Sequence, residues 1–392
     1  MEKSMYEKLG IDSSKQTVCD TFESAVDNEY PNAFVNVISD PTNQGRVLTQ
    51  HQDGDGSKFI QRLLHYYETG DEDIFLGMVD DALSMNTGDI AAAGFVFGPI
   101  IVSDVLNLGL PADLKKIIMT KVAQRFLELK ALYRFYGMDL RFLGGETADL
   151  PDQVLSGTFD VTVTAWTEKR YLISGNTKPG EVIIGLMSDG QAAWEKELNS
   201  GLMSNGLTLA RTVLMSSIFN GKYPHLKGKN PYRGKFVPKS RVHQLPKMTV
   251  GQALTSPTRQ WAIVIHEILS ELLKRKSLHL ISGITMNTGG GATKISRIGK
   301  GVCYSKAMPV PPSIFQLIKE ESGEYWSNMY KSFNCGVGID IVGTKSPILF
   351  SAINEAVTRC GIEWCHLGEV EAGSNSQKNE IKLSTPYGNF NY

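Results

Sequence analysis

One stretch, residues 46–70, places the strongest constraint on the fold of this chain. Residues 46–51 alternate well enough to predict a β-strand, and residues 59–67 carry apolar side chains at helical spacing before Gly70. Between them lies Gln-Asp-Gly-Asp-Gly-Ser-Lys, at 52–58. A strand that turns into a helix through glycines presents free backbone amides at the helix start, where an anion such as phosphate binds favourably.

Two carboxylates in this loop affect what it can bind. Asp53 and Asp55 would repel phosphate oxygens unless a divalent cation lay between them. Magnesium meets that condition, because it takes one or two carboxylates together with phosphate oxygens. The alternative is an exposed turn, in which Asp and Gly are both frequent. On this loop alone the turn is the better interpretation, so the decision depends on the rest of the chain.

The composition argues against several classes of partner. Forty basic residues balance 41 acidic ones, which gives no electrostatic basis for binding nucleic acid or an anionic membrane. The longest apolar run, 95–102, contains Gly and Pro and is too short to span a bilayer. Residues 1–7 lack the apolar core of a signal peptide, and the five cysteines are scattered, so a cytoplasmic protein is expected.

The length of 392 residues predicts two domains, because it is long for a single core. A turn-rich stretch at 170–179 separates the halves, so we expect one domain at 1–172 and a second at 173–392. Strands and helices alternate, which predicts a mixed α/β (α+β) fold built in layers. Residues 220–250 lack periodicity and predict a long irregular excursion.

Two helices stand out in the first half. The small-residue helix at 79–94 carries Asp81 and Asp89, eight residues apart and therefore near one face. The clearest amphipathic helix opens at Pro111, and its apolar stripe runs to Phe135. Further strands are predicted at 141–143, 158–165, 181–187, 278–284, 335–342 and 362–370, and further helices at 205–219, 257–274, 313–321, 324–333 and 347–360.

Common nucleotide-binding motifs are missing. The chain has no Gly-x-x-x-x-Gly-Lys-Ser/Thr loop, no complete Rossmann fingerprint and no His-Glu-x-x-His. The candidate chemistry lies instead in dispersed acidic residues, namely Asp53, Asp55, Asp81, Asp89 and Glu146. Each is a weak signal alone, and their order along the chain is the informative feature.

That order resembles the aminoimidazole ribonucleotide synthetase superfamily over nearly the whole chain. The loop at 53–58 is similar to the family's Asp-Gly-x-Gly-Thr-Lys, with Ser57 replacing Thr. Residues 143–151 match its Gly-Gly-Glu-Thr-Ala-Glu-Met-Pro segment almost residue for residue. Further matches follow in family order: Ser-Asn-Gly at 204–206, Pro-Thr-Arg at 257–259, Thr-Gly-Gly-Gly at 288–291 and Phe-Asn-Cys-Gly-Val-Gly at 333–338.

The resemblance implies a fold and an activity. The N-terminal α/β domain would pair its sheet with a partner's across a homodimer, and the C-terminal α/β domain would cover the active site. An ATP-dependent cyclo-ligase of purine biosynthesis is implied, with formylglycinamidine ribonucleotide as substrate and ATP and Mg²⁺ required. ATP would phosphorylate the amide oxygen, an amidine nitrogen would attack that carbon, and phosphate would leave as the aminoimidazole ring closes.

The matched motifs also imply site residues. The metal ligands would be Asp53, Asp81, Asp89 and Glu146. ATP and its phosphates would contact Asp53, Gly54, Gly56, Ser57, Lys58, Gly144, Gly145 and Thr147. Substrate would contact Ser204, Asn205, Gly206, Thr288, Gly289, Gly290 and Gly291, and the catalytic residues would be Lys58, Asp89 and Asn205. The alternatives are an exposed lysine at position 58 and a helix N-cap at Ser204 and Asn205.

Several departures from the family lie on the presumed substrate side. Met203 and Met286 stand where the cyclo-ligases carry His, and Gly88 stands where Asn is usual. Residues 191–200 look inserted and predict a short amphipathic helix over the substrate mouth. Two alternatives therefore stay open: another ATP-using member of the superfamily with a different substrate, or a non-catalytic paralogue that binds nucleotide.

Overall fold

A computed structural model describes residues 4–11 and 21–392, apart from the side chain of Glu23. The helices are α1 (Met5–Lys8), α2 (Lys58–Thr69), α3 (Leu76–Ala92), α4 (Ala112–Phe135), α5 (Leu207–Leu214), α6 (Phe219–Lys222), α7 (Pro224–Lys227), α8 (Val250–Thr255), α9 (Trp261–Lys274), α10 (Ser313–Ser322), α11 (Trp326–Ser332) and α12 (Pro347–Cys360). Among the described helices, none has both the length and the apolar character to cross a membrane.

The strands fall into two sheets. They are β1 (Ile38–Ser39), β2 (Arg46–Gly54), β3 (Pro99–Leu108), β4 (Asp139–Phe142), β5 (Glu146–Asp149), β6 (Gly157–Glu168), β7 (Val182–Met187), β8 (Ile281–Met286), β9 (Val302–Ala307), β10 (Val337–Gly343), β11 (Trp364–Ala372), β12 (Glu380–Thr385) and β13 (Gly388–Asn391). Strands β1 to β6 form the first sheet and β7 to β13 the second, so the chain passes from one to the other at residues 169–181.

The first sheet has the order β1-β2-β6-β3-β4, with β5 also paired to β3. Strand β6 runs antiparallel to both β2 and β3, whereas β4 and β5 run parallel to β3. The alternating burial of β6 shows one covered face and one more exposed face, as its strict sequence alternation predicts. Helix α3 packs on the covered face, against β2 and β6.

Helix α3 is the centre of the molecule. Every residue from Gly77 to Ala92 is buried, because sheet strands cover one side and α4, α9 and β8 cover the others. Small residues such as Gly88, Ala91 and Ala92 permit this close packing. The prediction of a tightly packed helix is confirmed, and its consequence is that the polar groups on α3 depend on partners inside the protein rather than on solvent.

The second sheet has the order β13-β12-β9-β11-β7-β10-β8. Its neighbours are antiparallel except β12 and β9. The buried strands β7, β8 and β10 were predicted from their continuous apolar runs, and the intervening helices were predicted from their periodicity. Strands β9, β12 and β13 were not predicted, since their polar alternation is short and lies between turn residues.

The apolar stripe of α4 differs from the prediction at its C-terminal end. Phe135 is 81% exposed, whereas Tyr133 is fully buried. Position 133 is four residues after buried Leu129 and stays on the inner face, while position 135 is six residues after it and lies on the opposite side. The Tyr133 hydroxyl lies 2.9 Å from the Thr87 hydroxyl and donates to Gln260 Oε1 at 3.0 Å.

The helix predicted at 191–200 is wrong. This segment is a loop closed by an isolated bridge between Gly190 and Asn199. Glu195 turns inward and pairs with buried Arg259, with nitrogen–oxygen distances of 3.0 Å at both carboxylate oxygens. This charged pair fixes the chain in a conformation that the hydrophobic spacing of Trp194 did not reveal.

A buried ion cluster joins the first and second halves of the chain. Asp81 on α3 lies 2.9 Å from Lys58 Nζ and 2.5 Å from an Arg62 terminal nitrogen, and all three side chains are fully buried. Thr258 donates to Asp81 Oδ1 from its backbone amide at 2.7 Å and from its hydroxyl at 2.6 Å. Lys58 also donates to the carbonyl of Met203 at 3.0 Å.

The electrostatics of this cluster follow from burial and pairing. Burial lowers the pKa of Lys58 to about 8, although Asp81 opposes that shift. Burial alone raises the pKa of Asp81, but the charges of Lys58 and Arg62 hold it below its ordinary value. Asp55 is buried beside them with no hydrogen-bond partner for its carboxyl oxygens among the described residues, and burial raises its pKa well above the ordinary value.

We predict that Asp81→Asn lowers the free energy of unfolding by about 3–5 kcal/mol, because it leaves Lys58 and Arg62 buried without a countercharge. Asp55→Asn is the matched control, since an amide replaces a carboxyl whose charged form burial disfavours, and stability should stay the same or rise. Urea unfolding at pH 7, followed by circular dichroism, measures both. Equal losses in the two variants would contradict this account.

Candidate active site

Two acidic residues share the covered face of the first sheet. Asp53 on β2 lies directly opposite Val161 on β6, and Asp104 on β3 lies opposite the same Val161. Directly paired residues point to the same face of a sheet. Val161 is fully buried, so both acids lie on the side that α3 covers. Asp104 was not predicted, because it lies inside a strand and not in a glycine-rich turn.

The Gly-Gly-Glu-Thr segment borders Asp104. A Cβ on Gly145 would lie 2.0 Å from the Asp104 carbonyl oxygen and 2.2 Å from Oδ1, so no side chain fits at this position. Burial raises the pKa of Asp104 to about 6. Glu146 and Thr147 are exposed on β5, which is three strand spacings from β2, about 14 Å between backbones. The segment thus packs with Asp104 rather than directly with Asp53.

The loop after β2 is shorter than predicted, since β2 continues through Gly54. A Cβ on Gly54 would lie 2.3 Å from Asp160 Oδ1, so the glycine lets this carboxylate approach the loop. Burial, and secondly the charge of Asp53, raise the pKa of Asp160. Ser57 Oγ lies 2.6 Å from Thr208 Oγ1 on α5. Gly56 has φ 56°, and a Cβ there would meet nothing within 4 Å.

Asp89 lies near the C-terminal end of α3, between two cationic or potentially cationic groups. Its Oδ2 is 3.4 Å from Lys294 Nζ and 3.5 Å from His51 Nε2. Its Oδ1 is buried and has no hydrogen-bond partner among the described residues. Lys294 also donates to Thr288 Oγ1, which connects Asp89 to the Thr-Gly-Gly-Gly segment.

The orientation of His51 is fixed by Asn86. The Asn86 amide nitrogen donates to three carbonyls, those of Asp53 at 3.0 Å, Ala82 at 2.8 Å and Val161 at 2.9 Å. Its Oδ1 therefore faces His51 Nδ1, 2.9 Å away, and accepts a hydrogen bond from the Nδ1–H group. This hydrogen bond turns His51 Nε2 toward Asp89.

Lys294 is a site residue that the sequence did not reveal. It is 6% exposed and lies in the 3₁₀ turn Gly291–Arg297, directly after the glycine motif. Its ammonium lies 4.9 Å from the centroid of the Phe34 ring, a distance typical of a cation–π contact. The only available signal was a lysine three residues after Gly291, and no matched motif extended that far.

The Ser-Asn-Gly segment meets two of the other motifs. Ser204 Oγ is 3.0 Å from Thr258 Oγ1, which also binds Asp81. A Cβ on Gly289 would lie 3.5 Å from Asn205 Oδ1, and Asn205 Nδ2 is buried without a partner among the described residues. The N-cap of α5 is Gly206, with no side-chain cap, so the interpretation of Ser204 and Asn205 as the cap is wrong.

Close contact with Phe333 requires glycine at positions 206 and 291. A Cβ on Gly206 would lie 2.0 Å from the Phe333 ring, and one on Gly291 would lie 2.4 Å from the Phe333 carbonyl oxygen. Both glycines also have φ in the left-handed region, 71° and 55°. The Phe-Asn-Cys-Gly-Val-Gly segment therefore holds the Ser-Asn-Gly and Thr-Gly-Gly-Gly segments against each other.

The family departures are accommodated by packing. A Cβ on Gly88 would lie 2.4 Å from Met286 Sδ, so the methionine fills space that a side chain at 88 would need. These two departures form one packed unit. Met203 is 2% exposed and has φ 60°, a conformation that directs its carbonyl to Lys58.

The predicted site residues do not converge on one point. No three or more His, Cys, Asp or Glu side chains in the described ranges are grouped as metal ligands. Asp81 and Lys58, expected to face magnesium and phosphate, instead occupy the buried ion cluster, because α3 is covered on all sides. Five other predicted residues take part in contacts between motif segments, and their roles stay predictions: Asp53, Asp89, Thr288, Asn205 and Gly289.

The sequence is similar to that of known enzymes over three quarters of its length. No family model matches the chain. The chain is 28% identical over 299 residues to a phosphoribosylformylglycinamidine cyclo-ligase of Methanococcus vannielii, covering 75% of this chain and 69% of that protein. A protein of the same name from Methanocaldococcus jannaschii is 27% identical over 301 residues, covering 75% and 70%. These relatives confirm the resemblance read from the motifs and the expectation of an enzyme.

Solved structures show the same fold at low sequence identity. T. maritima PurL complexed with FGAR superposes with a TM-score of 0.55 at 12% identity, covering all of this chain and 52% of that one. AaThiL complexed with AMPPCP and TMP gives 0.51 at 12% identity, covering 99% and 98%. The hydrogenase maturation protein HypE in complex with ATP gives 0.51 at 12% identity, covering 97% and 94%. By its motifs and its relatives, the chain resembles the aminoimidazole ribonucleotide synthetase superfamily, and its mixed α/β fold is the one seen in these solved structures.

Proposed function

We propose that the protein is an ATP-dependent cyclo-ligase that converts formylglycinamidine ribonucleotide to aminoimidazole ribonucleotide, in the cytoplasm and as a homodimer. The observation that carries this proposal is a chain of contacts from Asp89 through Lys294 to Thr288. Next to Thr288, Gly289 lies against the Asn205 side chain. These contacts join the acidic motif on α3 to the two segments assigned to substrate. The names of the cyclo-ligase relatives support the substrate, and the ATP and AMPPCP complexes of the structural neighbours support ATP.

The donor atoms fit a hard cation. Asp53 and Asp89 offer carboxylate oxygens, and Asp89 Oδ1 has no partner among the described residues. Magnesium usually takes one or two carboxylates plus phosphate oxygens, so a group of three protein ligands is not required. We infer that these two acids would hold magnesium, which would neutralise part of the triphosphate charge.

The chain's own groups would do the rest by position and charge. Phosphoryl transfer depends mainly on alignment and electrostatic stabilisation. Lys294 would offset phosphoryl charge, because Lys58, to which the motif assigns that role, is buried and paired with Asp81. Asn205 and the amides of Gly289–Gly291 would orient the ribonucleotide, so that the amidine nitrogen attacks the activated carbon and phosphate leaves.

The second candidate is a member of the superfamily with another substrate or no catalytic activity. The observation that favours it is the packing of Met286 on Gly88, because it places an apolar side chain where the family has histidine. Methionine neither donates a proton nor carries charge. This candidate retains ATP binding and loses the cyclisation.

Product analysis separates the two candidates. Purified protein, magnesium, ATP and formylglycinamidine ribonucleotide are mixed, and ADP and the imidazole product are followed together. We expect both products in equal amounts. ATP binding without imidazole, under conditions where an ordinary cyclo-ligase turns over, would favour the second candidate.

We predict that Asp53→Asn weakens magnesium-dependent binding of AMPPCP by roughly 10–100-fold, because it removes a proposed ligand carboxylate. Asp89→Asn should do the same. Since Asp89 also pairs with Lys294, the double variant Asp89→Asn/Lys294→Met tests whether any loss reflects only the broken Asp89–Lys294 ion pair. Calorimetry measures affinity, and Asp113→Asn, at an exposed position in the first turn of α4, is the control. Unchanged affinity in both single variants would reject the proposed metal site.

We predict that Lys294→Met lowers kcat by roughly 10²–10³-fold, the range for removing one group that stabilises transition-state charge. The KM for the ribonucleotide should change little. Lys300→Met is the matched control, because Lys300 is exposed and lies just beyond the same turn. Steady-state kinetics and circular dichroism are measured on both variants. A kcat equal to that of the control would remove Lys294 from the proposed mechanism.

A further inference from the structure

A cavity of about 850 Å³ lies outside the candidate active site. Its walls come from the end of α2, the start of α3, the middle of α4, the loop 191–199 and the segments 238–249 and 255–260. It contains none of the residues proposed to bind ATP, metal or ribonucleotide. Its volume falls within the range of about 300–1,000 Å³ that is usual for small-molecule sites.

Most acidic groups in the cavity wall are already paired. Asp80 and Glu128 bind Arg125 at 2.9 and 2.6 Å, and Glu195 binds Arg259 at 3.0 Å. Asp73 binds Lys121 at 2.5 Å. These carboxylates are therefore largely neutralised, and only Asp71 and Glu197 remain without a basic partner among the described residues.

The basic groups at the cavity are different. Four exposed cations line it and form no salt bridge with any residue in the described ranges: Lys196, Lys239, Arg241 and Lys247. They outnumber the two unpaired acids, so the cavity has a positive surface. Phosphate suits such a surface, because it accepts charge-assisted hydrogen bonds from both lysine and arginine.

The cavity also has an apolar and aromatic wall. Trp194 lines it half-buried, with its indole edge-on to the Tyr136 ring at 5.4 Å between centroids. Ile74, Leu76 and Met248 add apolar surface. Phosphate-binding charge beside a surface that can contact a ring is the chemistry that recognises a nucleotide.

Segment 255–260 connects this cavity to the ion cluster and the motif segments. It lines the cavity, yet Thr258 binds Asp81 and Ser204, and the Ser256 carbonyl accepts a hydrogen bond from Lys58. A ligand that alters this segment would thus alter contacts of the Ser-Asn-Gly segment. We propose that the cavity is a second binding site, for a phosphorylated small molecule of nucleotide size, coupled through segment 255–260 to the candidate active site. Only the coupling rests on the proposed function.

The test uses AMP as probe. Wild-type protein, with its ATP site first saturated by AMPPCP and magnesium, is titrated with AMP by calorimetry and by tryptophan fluorescence. We expect saturable binding that weakens with added salt and a fluorescence change that Trp194→Phe abolishes. The double variant Arg241→Ala/Lys247→Ala should bind AMP roughly tenfold or more weakly. Lys300→Ala, exposed and elsewhere, is the control.

The outcomes are distinct. No saturable AMP binding, or equal affinity in the double variant, would overturn the site. If adenosine binds as tightly as AMP, the proposed recognition of phosphate is wrong. If pyrophosphate binds as tightly as AMP, the proposed role of the aromatic wall is wrong. AMP binding that leaves the affinity for formylglycinamidine ribonucleotide unchanged would overturn the coupling. If AMPPCP does not bind at all, the proposed function fails, while AMP binding that depends on Arg241 and Lys247 would still support the cavity site.

Discussion

The structure depends on one buried interaction, the pairing of Asp81 with Lys58 and Arg62. Three fully buried ionised groups are costly to desolvate, and only their mutual attraction and added hydrogen bonds offset that cost. Those hydrogen bonds reach the Met203 carbonyl and Thr258, which belong to the second half of the chain. The cluster therefore sets the position of the Ser-Asn-Gly and Pro-Thr-Arg segments relative to α3. Lys58 and Asp81, which the motifs assign to phosphate and magnesium, instead stabilise the interior of the protein.

The sequence predicted most of the fold, because its strongest signals are local. The periodicity of α3, α4, α9 and α12, the alternation of β6 and the terminal Gly70 all rest on side-chain spacing and backbone conformation within a few residues. The failures involve partners far away in sequence. Glu195 forms a loop rather than a helix because Arg259, 64 residues away, binds it. Tertiary contacts override local preference at such positions.

The candidate site was predicted in its segments and not in its geometry. The order of motifs along the chain identified the glycine segments. The structure gives the physical reason for two of the glycines, because Phe333 leaves no room for a side chain at Gly206 or Gly291. The motif carries no information on burial, so Lys58 and Asp81 were expected to contact phosphate and magnesium rather than each other. Asp104 and Lys294 were missed because each lies outside a recognised segment. In the structure, β-sheet register puts Asp104 on the same face as Asp53, and a salt bridge joins Lys294 to Asp89.

The paired departures at Gly88 and Met286 bear on how protons would move in the proposed reaction. Met286 stands where the family has a histidine. It packs against Gly88, so this position is apolar and closed to solvent. Within the described part of the chain, the imidazole beside Asp89 belongs to His51, and Asn86 fixes which nitrogen faces that carboxylate. This histidine comes from the first sheet rather than the second-half segments. The substitution of two family histidines therefore removes imidazoles from the second half of the chain, while His51 on the first sheet keeps one beside Asp89.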